Sequence, residues 1–242
     1  MHVRILPTAE RAAHAVANHI VAAIHAQPSL VLGVAAGRTP VPVYEALVSE
    51  FEAGRVDFSR VTTFSLDEFL GLRRDDPRSF HGFLHQHLFS RINIRNSAIH
   101  TLNGATRDPL AECIRYEKSR RRAGGIDVQM LGLGTNGHIA FNEPGSSLYA
   151  WTHQARLRAE TRRATAELFA GRVADVPRAA LSMGMGTIMA ARTIVLLATG
   201  HAKAHAVARM LSGRCTTEVP ASLLQLHPNV AVFLDRKAAS TL

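Results

Sequence analysis

Cysteine and long apolar runs are both scarce in this chain of 242 residues, which contains only Cys113 and Cys215. Two isolated thiols are too few for a disulfide framework or a cysteine metal cage. No apolar run reaches the ~18 residues that a transmembrane helix needs. Residues 1–7 lack the apolar core of a signal peptide. We therefore expect a cytoplasmic protein whose cysteines are ordinary thiols in a reducing compartment.

Acidic residues are outnumbered, with 19 Asp and Glu against 28 Lys and Arg, which gives a net charge of +9. Such a surplus fits either nucleic acid or an anionic small molecule. The basic residues are dispersed except for residues 118–122, at a predicted helix end where positive charge is favourable. No aromatic platform accompanies this cluster. We expect a small anionic ligand, with no nucleic acid and no membrane as partners.

Metal-binding patterns are also missing. His81, His85 and His87 lie close together, but no glutamate and no further ligand accompany them in a zinc-binding arrangement. We predict no metal.

Short apolar runs alternate with helical patterns along the whole chain, without repeats or linkers. The predicted strands cover residues 29–34, 60–66, 99–102, 126–133, 193–198 and 230–234. The predicted helices cover residues 9–26, 41–51, 80–89, 109–121 and 199–211. Residues 149–158 are predicted to be extended, residues 160–169 a polar helix or turn, and the methionines of residues 180–191 to pack a helix. This order predicts one α/β domain over residues 1–242, a single doubly wound, mostly parallel Rossmann-like sheet with helices on both faces.

A glycine-rich turn follows the strand at residues 126–133. Gly134 and Gly137 permit a tight turn, and His138, Asn142 and Glu143 come directly after it. Histidine titrates near neutral pH, and a carboxylate on the same loop can fix its tautomer. The turn is a candidate acid–base site.

Other predicted strands end in charged or small residues. Ala36, Gly37, Arg38 and Thr39 form a loop before a helix, where free N–H groups bind anions, although the glycine spacing fits neither a Walker loop nor a dinucleotide motif. Arg38 could hold a phosphate or face solvent.

Asp67 and Glu68 follow the strand at residues 60–66, and Lys203 lies near the start of the last helix. Adjacent residues of an extended chain point to opposite sides, so one acid can face a site while the other serves structure. Ends of parallel strands meet in one crevice. We therefore predict an enzyme that moves protons on an anionic small molecule.

Four segments in this order resemble the glucosamine-6-phosphate deaminase (isomerase) family. They are FSLDEFLGL at residues 64–72, GLGTNGHIAFNEP at 132–144, LSMGMGT at 181–187 and LQLHP at 224–228. The related 6-phosphogluconolactonases share the fold and the Gly-His turn but typically lack Phe-Asn-Glu-Pro. The resemblance spans nearly the whole chain.

The resemblance implies conversion of glucosamine 6-phosphate to fructose 6-phosphate and ammonia, without metal or redox cofactor. It implies that Asp67 moves a proton between C2 and C1 of the opened sugar, that His138 assists ring opening, and that Glu143 orients His138. Lys203 and the loop of residues 36–39 match the family's phosphate-binding groups.

The sequence departs from the family pattern at two places. Asn136 replaces an aspartate that is common just before the Gly-His pair, and Glu167 takes the place of a phosphate-binding arginine. Because a carboxylate repels phosphate, we hypothesise that Arg38 replaces that arginine, either by binding the phosphate or by pairing with Glu167.

The resemblance is to the short, non-allosteric members. His153 and Ala155 stand where the allosteric members have basic effector residues, and the extended C-terminal segment of those members has no counterpart here. We expect hyperbolic kinetics. The family includes monomers and larger assemblies, so a homo-oligomer is one of the expected states.

Two alternatives remain open. One is a sister enzyme acting on another sugar phosphate, such as galactosamine 6-phosphate or 6-phosphogluconolactone, which the altered phosphate groups favour. The other is a non-catalytic sugar-phosphate sensor, against which the retained Asp67, His138 and Glu143 argue.

Overall fold

The computed structural model describes residues 1–242, in which strands and helices alternate. The strands are β1 His2–Leu6, β2 Val31–Val34, β3 Thr62–Ser65, β4 Asp67–Phe69, β5 Ile99–His100, β6 Val128–Gly132, β7 His153–Arg156, β8 Ala179–Ser182, β9 Thr193–Ala198 and β10 Val230–Asp235. The α-helices are α1 Ala9–Ala26, α2 Val41–Glu52, α3 Phe80–His87, α4 Pro109–Arg122, α5 Ala159–Thr165, α6 Met185–Met189 and α7 Ala204–Met210. None of these helices has the length and apolarity needed to cross a bilayer.

The two longest helices begin where their capping residues predict. Thr8 accepts the N–H of Arg11 at the start of α1, and Asp108 accepts the N–H of Ala111 at the start of α4. The apolar positions of α1 recur at helical spacing and are buried on one face.

The central sheet has seven strands in the order β1-β10-β9-β6-β2-β3-β5, and every pairing in it is parallel. This confirms the predicted mostly parallel, doubly wound sheet. The chain moves outward from β2 through β3 to β5, then returns to β6 on the other side of β2. Ligands of open α/β sheets bind beyond the strand ends at such a reversal.

A second sheet, which the sequence analysis did not predict, joins the first directly. It has three antiparallel strands in the order β4-β8-β7. Leu66 links β3 to β4, donating its N–H to the Val34 carbonyl at 3.0 Å and accepting the N–H of Met183 at 2.8 Å. One extended stretch therefore passes from the parallel sheet into the antiparallel sheet.

The prediction of a packed helix for residues 180–191 was wrong for the first half of that segment. Ala179–Ser182 pairs as β8 with both neighbouring strands, and only Met185–Met189 is helical. Partners distant in sequence outweighed the local composition. The edge strand β1, which is largely exposed, was also missed.

Two hydrophobic cores flank the region where the sheets meet. The larger surrounds the parallel sheet, whereas the smaller contains a cluster of rings from Phe69, Phe80, Phe141 and Phe169. The ring centroids of Phe69 and Phe80 are 4.6 Å apart. The smaller core fixes the second sheet and α3 opposite the ends of the parallel strands.

Buried Glu117 in α4 connects three separate parts of the fold. Its carboxylate accepts the N–H of Thr152 at 3.1 Å and the hydroxyl groups of Thr152 and Thr187, and it pairs with buried Arg120 at 3.0 Å. We expect Glu117→Ala to lower the free energy of unfolding by about 3–5 kcal/mol, because it leaves a buried guanidinium without its partner. Chemical denaturation measures this.

The matched control is Glu52→Ala, because Glu52 is exposed and lies 3.9 Å from Arg91. We expect a change within about 0.5 kcal/mol there. Equal effects of the two substitutions would show that the Glu117 network does not stabilise the fold.

Candidate active site

A cavity of about 220 Å³ lies at the carboxyl ends of the adjacent strands β3, β2 and β6. The site residues predicted from sequence line it, except Asn142 and Glu143. Those lining residues are Ala36, Gly37, Arg38, Thr39, Asp67, Asn136, His138 and Lys203. The fold therefore gathers groups that are dispersed over the chain into one pocket.

His138 owes its position to the two glycines of its turn. A side chain on Gly134 would place its Cβ 2.5 Å from the imidazole, and Gly137 has a positive φ of 90°. His138 Nδ1 is buried and lies 3.6 Å from Glu143 Oε2, its nearest acidic atom. Since Nδ1 faces Glu143, Nε2 is the ring nitrogen left for a ligand in the cavity.

Glu143 lies behind His138 and is held by several donors. The Thr161 hydroxyl donates to Oε1 at 2.5 Å, and Asn136 Nδ2 donates to Oε2 at 3.1 Å. Burial alone would raise the pKa of Glu143, but the contacts with His138, Thr161 and Asn136 outweigh it and lower the pKa to about 2. Glu143 therefore remains a carboxylate beside the imidazole at neutral pH.

Asn136 and Asn142 both make hydrogen bonds that stabilise the turn around His138. Asn136 Oδ1 accepts the N–H of His138 at 3.1 Å, so Asn136 bridges His138 and Glu143. Asn142, which the sequence grouped with the candidate acid–base residues, is buried and donates to the carbonyls of Ile139 and Met183. Asn142 fixes the turn and does not line the cavity.

Asp67 is a buried carboxylate at the point where the two sheets meet. It begins β4 opposite Ser182 of β8, and 8% of its surface is exposed. Burial, and then the charge of Glu68, raise the pKa of Asp67 to about 8. A carboxyl group that exchanges its proton near neutral pH is suited to acid–base catalysis.

The other end of the cavity carries two cationic side chains and free backbone N–H groups. The N–H groups of Gly37, Arg38 and Thr39 donate no hydrogen bond within the protein. Lys203 has no acidic partner among the ion pairs. Burial, and then the charge of Arg38, lower the pKa of Lys203. An anion placed between these cations would relieve their repulsion and use the free N–H groups.

Arg38 pairs with Glu167 across the mouth of the cavity. The distance between Arg38 Nη1 and Glu167 Oε1 is 2.7 Å, and both side chains are exposed. The contact is one of the two arrangements that the sequence hypothesis offered for Arg38. It joins the loop after β2 to the 3-10 helix Ala166–Phe169.

The sequence analysis did not predict which elements form one wall of the cavity. It is formed by α5 with the 3-10 helix that follows, and by two rings of α3, Phe80 and Phe83. Thr161, Ala164, Thr165 and Leu168 line the pocket at helical spacing. This spacing of small and apolar residues was the available signal for a helix facing the site.

The histidine group at residues 81–87 lies outside this pocket. His81 accepts a hydrogen bond from Arg74 Nε at 3.0 Å and does not line the cavity. No group of three or more His, Cys, Asp or Glu side chains is arranged to bind a metal ion.

Comparisons with known proteins identify the family to which this chain is similar. The family model described as glucosamine-6-phosphate isomerases/6-phosphogluconolactonase matches residues 7–233. A glucosamine-6-phosphate deaminase of Alkaliphilus metalliredigens (strain QYMF) is 47% identical over 230 residues, which cover 95% of this chain and 93% of that protein. Glucosamine-6-phosphate deaminase 2 of Bacillus subtilis (strain 168) is 49% identical over 220 residues, which cover 90% of this chain and 88% of that protein.

Solved structures share the fold. A monomeric glucosamine-6-phosphate deaminase superposes with a TM-score of 0.97 at 39% identity, covering 100% of both chains. The 6-phosphogluconolactonase of Trypanosoma brucei superposes with a TM-score of 0.78 at 22% identity, covering 100% of this chain and 98% of that chain.

The raised pKa of Asp67 predicts a cost in stability. Its value of about 8 exceeds that of an unfolded chain, so folding favours the protonated form and stability falls as the pH rises toward 8. Asparagine cannot ionise. We expect Asp67→Asn to match the natural protein below about pH 4 and to melt roughly 10 °C or more higher at pH 8.5, because a pKa raised from 3.8 to about 8 corresponds to on the order of 5 kcal/mol.

Thermal unfolding from pH 4 to 9 measures this, with Asp75→Asn as control because Asp75 is exposed and pairs with Arg73. The control is expected to show no such gain at high pH. Parallel curves for Asp67→Asn and the natural protein would contradict a buried, protonated Asp67.

Proposed function

The chain belongs to the family of glucosamine-6-phosphate isomerases and 6-phosphogluconolactonases, and on this premise we propose that it converts glucosamine 6-phosphate and water to fructose 6-phosphate and ammonia. The observation that supports this most is the placement of buried Asp67, His138 and the anion-binding end in one cavity. The relatives at 47% and 49% identity carry the deaminase name, which favours an aminosugar phosphate over a lactone.

Asp67 performs the proton shift in this proposal. Its carboxylate removes the proton from C2 of the open-chain sugar and delivers it to C1, while a proton passes from the amino group to the C1 oxygen. C1 becomes an alcohol and C2 becomes an imine. Water adds to C2 and ammonia leaves, which gives the ketose. The pKa of about 8 lets Asp67 both take and return a proton near neutral pH.

His138 opens the sugar ring in the preceding step. With Nδ1 directed at Glu143, Nε2 faces the cavity. It takes the proton of the C1 hydroxyl and delivers it to the ring oxygen, as the bond between C1 and that oxygen breaks and the C1 aldehyde forms. Glu143 is a positioning residue, because it contacts His138 but does not line the cavity. Asn136 is hydrogen-bonded both to Glu143 and to the backbone of His138, and it therefore holds the two residues beside each other.

The phosphate occupies the end of the cavity formed by Lys203, Arg38 and the free N–H groups of Gly37 and Thr39. An exposed ion pair such as that of Arg38 with Glu167 contributes at most ~1 kcal/mol. A phosphate dianion can therefore take Arg38 from Glu167, since charge-assisted bonds to phosphate are stronger.

Residues 1–242 act as one domain in this proposal, because the cavity draws on residues from Ala35 to Lys203. All assigned residues come from one chain, so no partner subunit is required. The two cysteines are free, which fits a reducing cytoplasm.

The first test is release of ammonia from glucosamine 6-phosphate by the purified protein. We expect turnover that Asp67→Asn lowers by at least about 100-fold, because the variant has no base. The value of kcat/KM should rise with pH and level off above about 8, as Asp67 ionises. Galactosamine 6-phosphate, 6-phosphogluconolactone and glucosamine are assayed alongside. Folded protein that releases no ammonia from glucosamine 6-phosphate would refute the proposal.

The role of Arg38 is tested by Arg38→Ala and Glu167→Gln. We expect Arg38→Ala to raise the KM for glucosamine 6-phosphate about tenfold, corresponding to ~1.4 kcal/mol, with little change in kcat. Glu167→Gln should leave that KM unchanged or lower it, because a carboxylate near the phosphate is removed. An unchanged KM in Arg38→Ala would show that Lys203 and the N–H groups hold the phosphate alone.

A further inference from the structure

Glu68 is a buried carboxylate that the proposed reaction does not use. It follows Asp67 in β4 and only 2% of its surface is exposed. Successive side chains of a strand point to opposite faces. Accordingly, Asp67 lines the cavity and Glu68 does not.

Glu68 fastens the strand of Asp67 to the start of α3. Its Oε1 accepts the N–H groups of Phe69 and Phe80, and its Oε2 accepts the N–H of His81, all at 2.9 Å. Phe80 and His81 open α3, where N–H groups lack partners within the helix and favour a negative charge. The ring of Phe80 also lines the cavity. One carboxylate thus connects the strand of the proposed base to the aromatic wall of the site.

No cation is paired with Glu68. Asp76, which precedes α3, pairs with Arg78, while the ring of His81 accepts from Arg74. Burial, and then the charges of Arg74 and His85, lower the pKa of His81 to about 4, so this ring is neutral near pH 7. Burial raises the pKa of Glu68 to about 7, although its three backbone N–H bonds oppose that rise. Because the pKa of Asp67 is about 8, Glu68 ionises before Asp67, and no guanidinium or ammonium pairs with its charge.

The titratable groups around Asp67 on its other sides are few. Tyr44 of α2 and Tyr116 of α4 are buried and donate to the carbonyls of Ala35 and Ser65. His138 and Lys203 face the same cavity. Glu68, the next residue in β4, is the acidic neighbour whose charge raises the pKa of Asp67 after burial.

We propose that Glu68 is a positioning residue for Asp67: its hydrogen bonds hold the strand of Asp67 against the aromatic wall of the cavity, and its charge opposes loss of the Asp67 proton. The effect of Glu68 on catalysis rests on the proposed function of Asp67 as the base. The effect of the Glu68 charge on the pKa of Asp67 does not depend on that function.

The experiment follows the carboxyl carbons of Asp67 and Glu68 by ¹³C NMR between pH 4 and 10, in the natural protein and in Glu68→Gln. Glutamine retains an oxygen that can accept from Phe69 and Phe80 but removes the charge. We expect the titration midpoint of Asp67 to fall by about one pH unit, and the rise of kcat/KM with pH to shift by the same amount. An unchanged midpoint in folded Glu68→Gln would overturn the proposal.

The natural protein supplies a second measurement if Glu68→Gln does not fold. The proposal requires the carboxyl carbon of Glu68 to titrate at a lower pH than that of Asp67, because the charge of Glu68 must be present when Asp67 ionises. A Glu68 carboxyl that stays protonated until Asp67 has ionised would overturn the proposal. A shift of the Asp67 midpoint in Glu68→Gln, without ammonia release by the natural protein, would support the proposal and refute the proposed function, whereas ammonia release without that shift would do the reverse.

Discussion

The site depends on the passage of the chain through Leu66 from one sheet into the other. Backbone hydrogen bonds to Val34 and Met183 fix this residue in both sheets at once. In a parallel sheet alone, an acid after β3 would lie at an open strand end exposed to water. The antiparallel strand β8 and the aromatic core cover it, so Asp67 is buried and its pKa rises to about 8. The second sheet thus buries Asp67 and thereby raises its pKa.

The two carboxylates of the proposed mechanism differ because their surroundings differ. Glu143 receives hydrogen bonds from Thr161 and Asn136 and lies beside His138, so its pKa falls to about 2. Asp67 has burial and a like charge next to it, so its pKa rises. Such separation assigns a permanent charge to one group and proton exchange to the other. The same residue types could not be given these roles from composition alone.

An ion pair between residues far apart in the chain lies at the mouth of the cavity. Arg38 and Glu167 are 129 residues apart in sequence and meet at 2.7 Å. Glu167 belongs to the segment that forms the wall of the cavity, and Thr161 of the same segment donates to Glu143. Contacts at both ends of the cavity therefore converge on one short helical segment. This connects the loop of residues 36–39 to the residues around His138.

The sequence by itself determined the parallel sheet, the helix boundaries of α1 and α4, and the strand ends that carry Asp67, His138 and Lys203, because local periodicity, capping and glycine turns encode these features. Its motifs also indicated the family. Only the tertiary structure decided that β4 and β8 pair, that Glu143 lies beside His138 without lining the cavity, and that α5 lines the cavity. These depend on contacts between residues far apart in the chain, and three- to five-residue elements carry too little periodicity to be recognised. The tertiary structure also decided the pKa values of Asp67 and Glu143, because burial and neighbouring charge exist only in the folded chain.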